Sequence, residues 1–235
     1  MKEQHSEPGY PENDTAEDVL EWALNRFGSR IAIACSFQHA VLIDLAVRIK
    51  PDVRIFSIDT GRLPEETYEC ARDIETYFDV KIEWFMPRKE PVERMMREEG
   101  PFSFKKSLEA RKQCCAVRKV EPLNRALARL EAWITGIRRD QNTTRTDIRK
   151  VERDKKHGGI IKVNPLADWN YENIRNYVKD HKLPYNKLFD KGYASIGCAC
   201  CTRPIQPGED LRAGRWWWEH KDHKECGLHA RDWQI

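Results

Sequence analysis

Five short apolar runs recur along this chain, separated by stretches of helical spacing. That alternation limits the possible folds more than any other feature. Residues 31–35 (IAIAC) are almost wholly apolar, as suits a strand buried on both faces of a parallel sheet. Residues 54–58 (RIFSI), 81–85 (KIEWF), 132–135 (AWIT) and 160–163 (IIKV) read as further strands. Asp14, with Glu17 three residues on, opens a helix whose face is Val19, Leu20, Ala23, Leu24 and Phe27, with Gly28 as its stop. Val41, Leu42, Leu45, Ala46 and Ile49 mark one face of a second helix, ended by Pro51. Pro64 opens a third, with Tyr68, Ala71, Ile74 and Phe78 inward. Residues 90–130 read as largely helical with a break at Gly100-Pro101, and residues 172–181 as a helix stopped by Pro184. Strands separated by helices predict right-handed βαβ units, hence an α/β fold with a mostly parallel sheet flanked by helices.

The chain has 235 residues, 40% of them hydrophobic, with 8 Trp, 7 Tyr and 8 Phe. That is enough core material to exclude a disordered chain. No window approaches a membrane-spanning length of apolar residues, and the polar, acidic N-terminus has no secretory h-region. A cytoplasmic setting is therefore expected. Net charge is +3, too mild for bulk attraction to nucleic acid or membrane. The basic stretch 138–156 is interleaved with Asp140, Asp147, Glu152 and Asp154, and reads as a solvated loop rather than a phosphate-tracking stripe. Residues 1–13 read as a mobile tail, 14–205 as the α/β body, and 206–235 as a C-terminal tail. Beyond about residue 185 periodicity dissolves into Gly, Cys, Pro, Arg and Trp. That segment is expected to be loop-rich and stapled by something other than apolar packing.

In open α/β sheets ligands bind outside the carboxyl ends of the strands. Here those ends carry Cys35-Ser36-Phe37-Gln38, Asp59-Thr60-Gly61-Arg62 and Gly136-Ile137-Arg138-Arg139, with Arg145 just beyond. A helix N-terminus, a donor turn and an arginine cluster together suggest a nucleotide bearing an oxyanion. Individually each has an ordinary reading: Ser36 as a helix N-cap, Asp59-Thr60-Gly61 as a turn.

The eight cysteines carry the strongest signal. In a reducing compartment a cysteine cluster points to metal or catalysis rather than disulfides. Cys114-Cys115 is an adjacent pair, and Cys198 and Cys201 form a C-x-x-C pair. Two pairs suit a tetrathiolate site. Adjacent cysteines point in different directions, so both reach one centre only if it is large, which favours a [4Fe-4S] cluster over a single zinc ion. Cys200 reads as a bystander, and Cys35 and Cys70 as small buried hydrophobes. Cys226 lies among His223, Lys224 and His229, which lower a thiol pKa and suit a nucleophile; a surface thiol without a role is the other reading. Trp216-Trp217-Trp218 cannot all face one core, and reads as a site cover or as an anchor for the tail.

The segments Cys114-Cys115-Ala116-Val117-Arg118-Lys119, Thr135-Gly136-Ile137-Arg138-Arg139-Asp140-Gln141, the Cys198/Cys201 pair, Arg215-Trp216-Trp217-Trp218-Glu219 and Lys224-Glu225-Cys226-Gly227-Leu228-His229 resemble the assimilatory adenylyl-sulfate reductases. These are the iron–sulfur branch of the adenylyl-sulfate and phosphoadenylyl-sulfate reductase family. The resemblance implies an adenine-nucleotide α-hydrolase-like fold related to the pyrophosphate-loop ATPases. It also implies reduction of adenosine 5′-phosphosulfate to sulfite and AMP in sulfate assimilation, with thioredoxin as transient electron donor. Cys226 becomes the catalytic nucleophile, carrying an S-sulfo intermediate. Cys114, Cys115, Cys198 and Cys201 become the cluster ligands, with the cluster contributing charge. Ser36, Thr60, Lys119, Gly136, Arg145, Arg212, Arg215 and His229 become substrate-binding residues, and a homo-oligomer is compatible. One departure is the loop Ser36-Phe37-Gln38-His39-Ala40, which lacks the glycines of the ATPase relatives and argues against ATP hydrolysis. The alternatives are a reductase that accepts the 3′-phosphorylated nucleotide, an adenylating ligase or RNA thiolase of the pyrophosphate-loop class, and a zinc-stapled binding module.

Overall fold

The computed structural model describes residues 13–141 and 145–220. These residues form two compact units. One comprises 13–57, 67–83, 129–141 and 145–186; the other comprises 58–66, 84–128 and 187–220.

The first unit is built on a six-stranded sheet in the order β3-β2-β1-β4-β6-β5. The strands are β1 (Ile31–Ala34), β2 (Ile55–Ile58), β3 (Ile82–Phe85), β4 (Ala132–Thr135), β5 (Val151–Asp154) and β6 (Ile160–Val163). β1 pairs in parallel with β2 and with β4, in the register Ala34 opposite Thr135. β4 pairs in parallel with β6, and β5 runs antiparallel to β6. Because β2 lies on one side of β1 and β4 on the other, the strand order reverses beside β1. A crevice opens beyond strand ends at such a switch point.

Helix α1 (Ala16–Phe27) starts one residue later than the Asp14/Glu17 reading. The capping box is Thr15 with Asp18: the Asp18 N–H donates to Thr15 Oγ1 at 3.1 Å, and the Thr15 N–H to Asp18 Oδ2 at 3.0 Å. Ala16, buried, is then the first helical residue. Helix α2 (Val41–Ile49) buries its first six residues, α3 (Glu65–Phe78) buries Cys70, Ala71 and Ile74, and α7 (Tyr171–Asp180) is capped by Asn170. Leu20, Leu24, Ile31, Ile33, Ile55 and Trp133 are fully buried. Each such side chain contributes about 1.5–3 kcal/mol of burial.

The basic stretch 138–156 is not a solvated loop. Val151–Asp154 pairs as edge strand β5, and Arg138, Arg145 and Lys150 are buried. Sequence alone hid this strand because only Val151 of V-E-R-D is apolar, so there is no periodicity to detect. Lys150 has its counter-charge in Asp168, at 2.7 Å.

The second unit contains α4 (Lys89–Glu99), α5 (Leu108–Cys115) and α6 (Glu121–Leu127). Ser107 caps α5, accepting from the Ala110 N–H at 3.1 Å. Between α5 and α6 the chain makes one π-helical turn, Ala116–Val120, in which the Glu121 N–H reaches back to Ala116 O. Beyond residue 186 the described residues form two short 3₁₀ turns, Lys187–Lys191 and Ala199–Cys201, and one isolated antiparallel bridge between Thr202 and Arg215. This is the loop-rich segment that the composition anticipated. No helix among the described residues is long and apolar enough to cross a membrane.

Candidate active site

In the first unit, the predicted nucleotide residues gather at the switch point. Ser36 is exposed just past β1. It does not cap α2, whose N-cap position is Ala40 and which no side chain caps. The loop before the helix is instead fixed by its backbone. Phe37 is buried with φ +50°. Asn186 Nδ2 donates to Phe37 O at 3.3 Å, the Asn186 N–H to Gln38 O at 3.0 Å, and the Ala40 N–H to Pro184 O at 3.2 Å. Across the switch, Thr135 Oγ1 donates to Asn164 Oδ1 at 2.6 Å, and Gly136 follows. A Cβ built on Gly136 meets only Leu42 Cδ2, 3.9 Å away, so no protein atom demands glycine there. Arg138 is buried and pairs with Asp140 at 3.0 Å. Arg145 is buried and bonded to the Gln141 side chain. Burial, then the Arg138 charge, pushes the His39 imidazole down to about 3, so it is neutral near pH 7. Its Nδ1 is buried without a hydrogen-bond partner among the described residues. Cys70 is buried in α3 as anticipated, whereas Cys35 is half-buried and its sulfur accepts the Phe37 N–H at 3.4 Å.

In the second unit, Cys114, Cys115, Cys198 and Cys201 line one cavity, and Cys200 lines it with them. The π turn explains how a vicinal pair and the next cations share that wall: Arg118 and Lys119 sit within it, and its wider turn widens the inward face. Cys198 Sγ lies 3.3 Å from Thr60 Oγ1, and Arg118 Nη1 donates to Thr60 O at 2.7 Å. Thr60 therefore stands against the cysteines. Arg62 approaches Cys200 Sγ at 3.9 Å and is held by Pro101 O at 2.9 Å. Burial raises the Cys114 thiol despite the neighbouring Arg62 and Arg118 charges.

Trp216 closes the cavity with none of its surface exposed. Four cations stand over its ring: Arg111 at 4.5 Å, Arg215 at 4.6 Å, Arg212 at 5.9 Å and Lys119 at 6.0 Å. Arg111 also meets Glu219 at 2.7 Å, both buried. The Trp216 N–H donates to Cys201 O at 3.1 Å, tying the tryptophan run to the cysteine turn. Of the two sequence readings, the anchor therefore holds for Trp216, while Trp217 is 40% exposed. Two glycines sit at close approaches, one against the end of a side chain and one against backbone. A Cβ on Gly197 would lie 2.4 Å from Arg215 Nη2, and one on Gly214 would lie 2.2 Å from Arg203 O.

Sequence reading missed Arg62, Arg111 and Arg118 as wall residues. Helical spacing about Cys114-Cys115 carried a signal for two of them, since positions 111 and 118 fall three or four residues from the pair. Cys226 and His229 lie outside the described residues, as do residues 1–12 of the tail expected over 1–13.

Among the described residues no group of three or more His, Cys, Asp or Glu side chains is placed to hold a metal ion. A cube-shaped cluster makes a different demand, because its four thiolates stand apart around it. The donor set here suits that case: five thiols, Arg62, Arg111, Arg118 and Lys119 on the wall, and no Asp or Glu. Two buried wall donors, Arg118 Nε and Trp216 Nε1, have no hydrogen-bond partner among the described residues. Buried donors are rarely left so unless an acceptor is supplied, and an anionic cluster is such an acceptor.

Residues 30–204 match the model of the phosphoadenosine phosphosulfate reductase domain family. The chain belongs to this family. Among similar proteins of the family, the adenosine 5′-phosphosulfate reductase of Burkholderia cepacia is 50% identical over 177 residues, 75% of this chain and 70% of that protein. The enzyme of the same name from Allochromatium vinosum is 44% identical over 201 residues, 86% of this chain and 78% of that protein. Of solved family structures, the phosphoadenylyl-sulfate reductase of Candida auris, in a phosphate complex, superposes with a TM-score of 0.68 at 26% identity, covering 81% of this chain and 91% of that one. FMN adenylyltransferase of Candida glabrata has the same fold at 12% identity, with a TM-score of 0.56, covering 93% of this chain and 81% of that one. The expected mostly parallel α/β architecture is thus borne out.

Proposed function

We propose that this chain is a thioredoxin-dependent adenylyl-sulfate reductase of sulfate assimilation, acting in the cytoplasm on adenosine 5′-phosphosulfate. The observation that carries this reading is the cavity shared by two separated cysteine pairs and ringed by cations, in a chain 44–50% identical to enzymes of that name.

Cys226 is the nucleophile. Its thiolate attacks the sulfur of the phosphosulfate, an S–S bond forms, and the S–O bond to AMP breaks. AMP leaves with the bonding pair, and Cys226 holds an S-sulfo group. A thioredoxin thiolate then attacks Cys226 Sγ and expels sulfite. The second thioredoxin thiol closes the donor's disulfide, so two electrons pass from dithiol to sulfur. His229 stands beside the nucleophile in sequence and favours the thiolate. Ser36, Thr60 and Gly136 are the nucleotide residues; the open space at the Gly136 Cα suits a base or ribose lying against backbone. Lys119 and Arg145 face the phosphosulfate, and Arg212 and Arg215 hold it from the 206–235 tail. Cys114, Cys115, Cys198 and Cys201 hold a [4Fe-4S] cluster, which supplies fixed charge near the reacting group. Lys119, buried on that wall, balances this charge.

Wild-type protein given substrate without reductant is expected to gain one sulfonate, mapped by mass spectrometry to Cys226. Cys226→Ser is expected to bind nucleotide, keep its iron and show no turnover. An adduct on another cysteine would overturn the assignment. A second reading, preference for the 3′-phosphorylated nucleotide, draws support from the likeness to the phosphoadenylyl-sulfate reductase of Candida auris. Parallel assays separate the two: we expect kcat/KM for the unphosphorylated substrate to be higher by more than about tenfold, about 1.4 kcal/mol.

A further inference from the structure

The cysteine cavity holds one thiol more than a four-thiolate centre requires. Cys200 Sγ lies 3.8 Å from Cys201 Sγ, and both belong to the single 3₁₀ turn Ala199–Cys201. Cys201 is buried, whereas Cys200 is half-buried. Arg62, fixed by its bond to Pro101 O, presents its guanidinium to Cys200 Sγ at 3.9 Å, so a thiolate there already has a counter-charge. The unpartnered buried donors Arg118 Nε and Trp216 Nε1 mark the same cavity as built for an acceptor. Cys198 is placed differently: its sulfur faces the Thr60 hydroxyl at 3.3 Å.

We propose that Cys200 is a reserve ligand, able to replace Cys201 on the iron–sulfur centre; this rests on the cluster reading above. Two sulfurs in van der Waals contact reach nearly the same point in space, so a side-chain rotation at Cys200 suffices. In the exchange, Cys200 Sγ forms a bond to the iron atom that Cys201 Sγ leaves. The proton released by the Cys200 thiol passes to the departing Cys201 sulfur, and no electron changes hands. The site is therefore asymmetric: loss of Cys201 is covered, loss of Cys198 is not.

The test is anaerobic purification of the full chain as wild type, Cys198→Ser, Cys200→Ser, Cys201→Ser and the Cys200→Ser/Cys201→Ser double variant, with iron and acid-labile sulfide measured on each. Cys200→Ser and Cys201→Ser are expected to keep both, while Cys198→Ser and the double variant lose both. Cys201→Ser losing iron as completely as Cys198→Ser would overturn the proposal. So would a double variant that keeps its iron, because another residue would then be the substitute. Wild type without iron would overturn the cluster reading itself, a result distinct from either. Alkylation gives an independent measurement. Iodoacetamide should label Cys200 in the wild-type holoprotein and fail to label it in Cys201→Ser. Equal labelling of the two would sink the exchange even if one variant folds poorly.

Discussion

The sheet unit and the cysteine unit of this chain are held by different kinds of residue. In the first, Ile33, Ile55, Trp133, Ile134 and Val163 are buried in strands, and Val19, Leu20 and Ala46 are buried in helices. Apolar burial accounts for its cohesion. In the second, the central buried cluster is Met95, Phe104, Cys114, Cys198, Cys201 and Trp216, with Arg111, Arg118, Lys119, Arg212 and Arg215 buried as well. Buried cations are costly unless paired. Here they are partly compensated, Arg111 by Glu219 and Arg118 by Thr60 O. One chain thus joins a scaffold held by apolar burial to a unit held largely by polar and charged contacts, whose stability, if the proposed cluster is bound, would also be tied to that cluster.

The comparison breaks most directly at a proposed cluster ligand. Cys114→Ser should lose iron and colour entirely and open residues 84–128 to limited proteolysis. A colourless variant as protease-resistant as wild type would show that the cysteine unit stands on packing alone. The next effect belongs to the sheet. Ile134→Ala should cost about 2–5 kcal/mol in urea unfolding while each folded molecule keeps its full iron. A cost under about 1 kcal/mol would mean that β4 is not the core strand its burial suggests. Gly197→Ala sharpens the contrast. The added methyl meets only the flexible end of Arg215, so stability should hold while the displaced guanidinium raises KM for substrate about tenfold, some 1.4 kcal/mol. An unchanged KM would remove Arg215 from the substrate.

A separate effect is a pH slope in the sheet unit. His39 is held at about 3, below its unfolded value, so the unfolded chain binds a proton that the folded one does not. Stability from this group is full above pH 6.5 and falls as pH drops from there toward 3, by at most about 1.4 kcal/mol per pH unit. His39→Gln should flatten that part of the acid limb. An unaltered slope would assign it to the carboxylates.

What the sequence made legible follows the same division. The five apolar strands and their helices were readable because burial imposes periods of 2 and 3.6 on residue type. β5 was not, because an edge strand of V-E-R-D satisfies its backbone without an apolar face. The two cysteine pairs were legible by spacing, and the anchoring of the tryptophan run was one of two readings. Arg62 on the same wall was not legible, because a lone arginine carries no pattern until the fold brings it beside a sulfur, whereas Arg111 and Arg118 stood at helical spacing from the pair and went unread. Cys200 was set aside because C-x-x-C spacing selects its neighbours; only the 3.8 Å approach to Cys201 brings it into the site.

The π turn at Ala116–Val120 has a bearing on how this chain can change in length. A π turn holds one residue more than an α-helix would use over the same span. In a regular α-helix each added residue turns the chain by about 100°; the wider turn absorbs the extra one, so Cys114 and Cys115 keep their phase with α6 and its buried Leu123 and Leu127. Substitutions at the exposed Glu109 or Gln113 leave that phase untouched. The segment should therefore accept changes of letter at such positions, whereas one residue more, with no second wide turn to absorb it, should rotate the cysteine pair out of phase with α6.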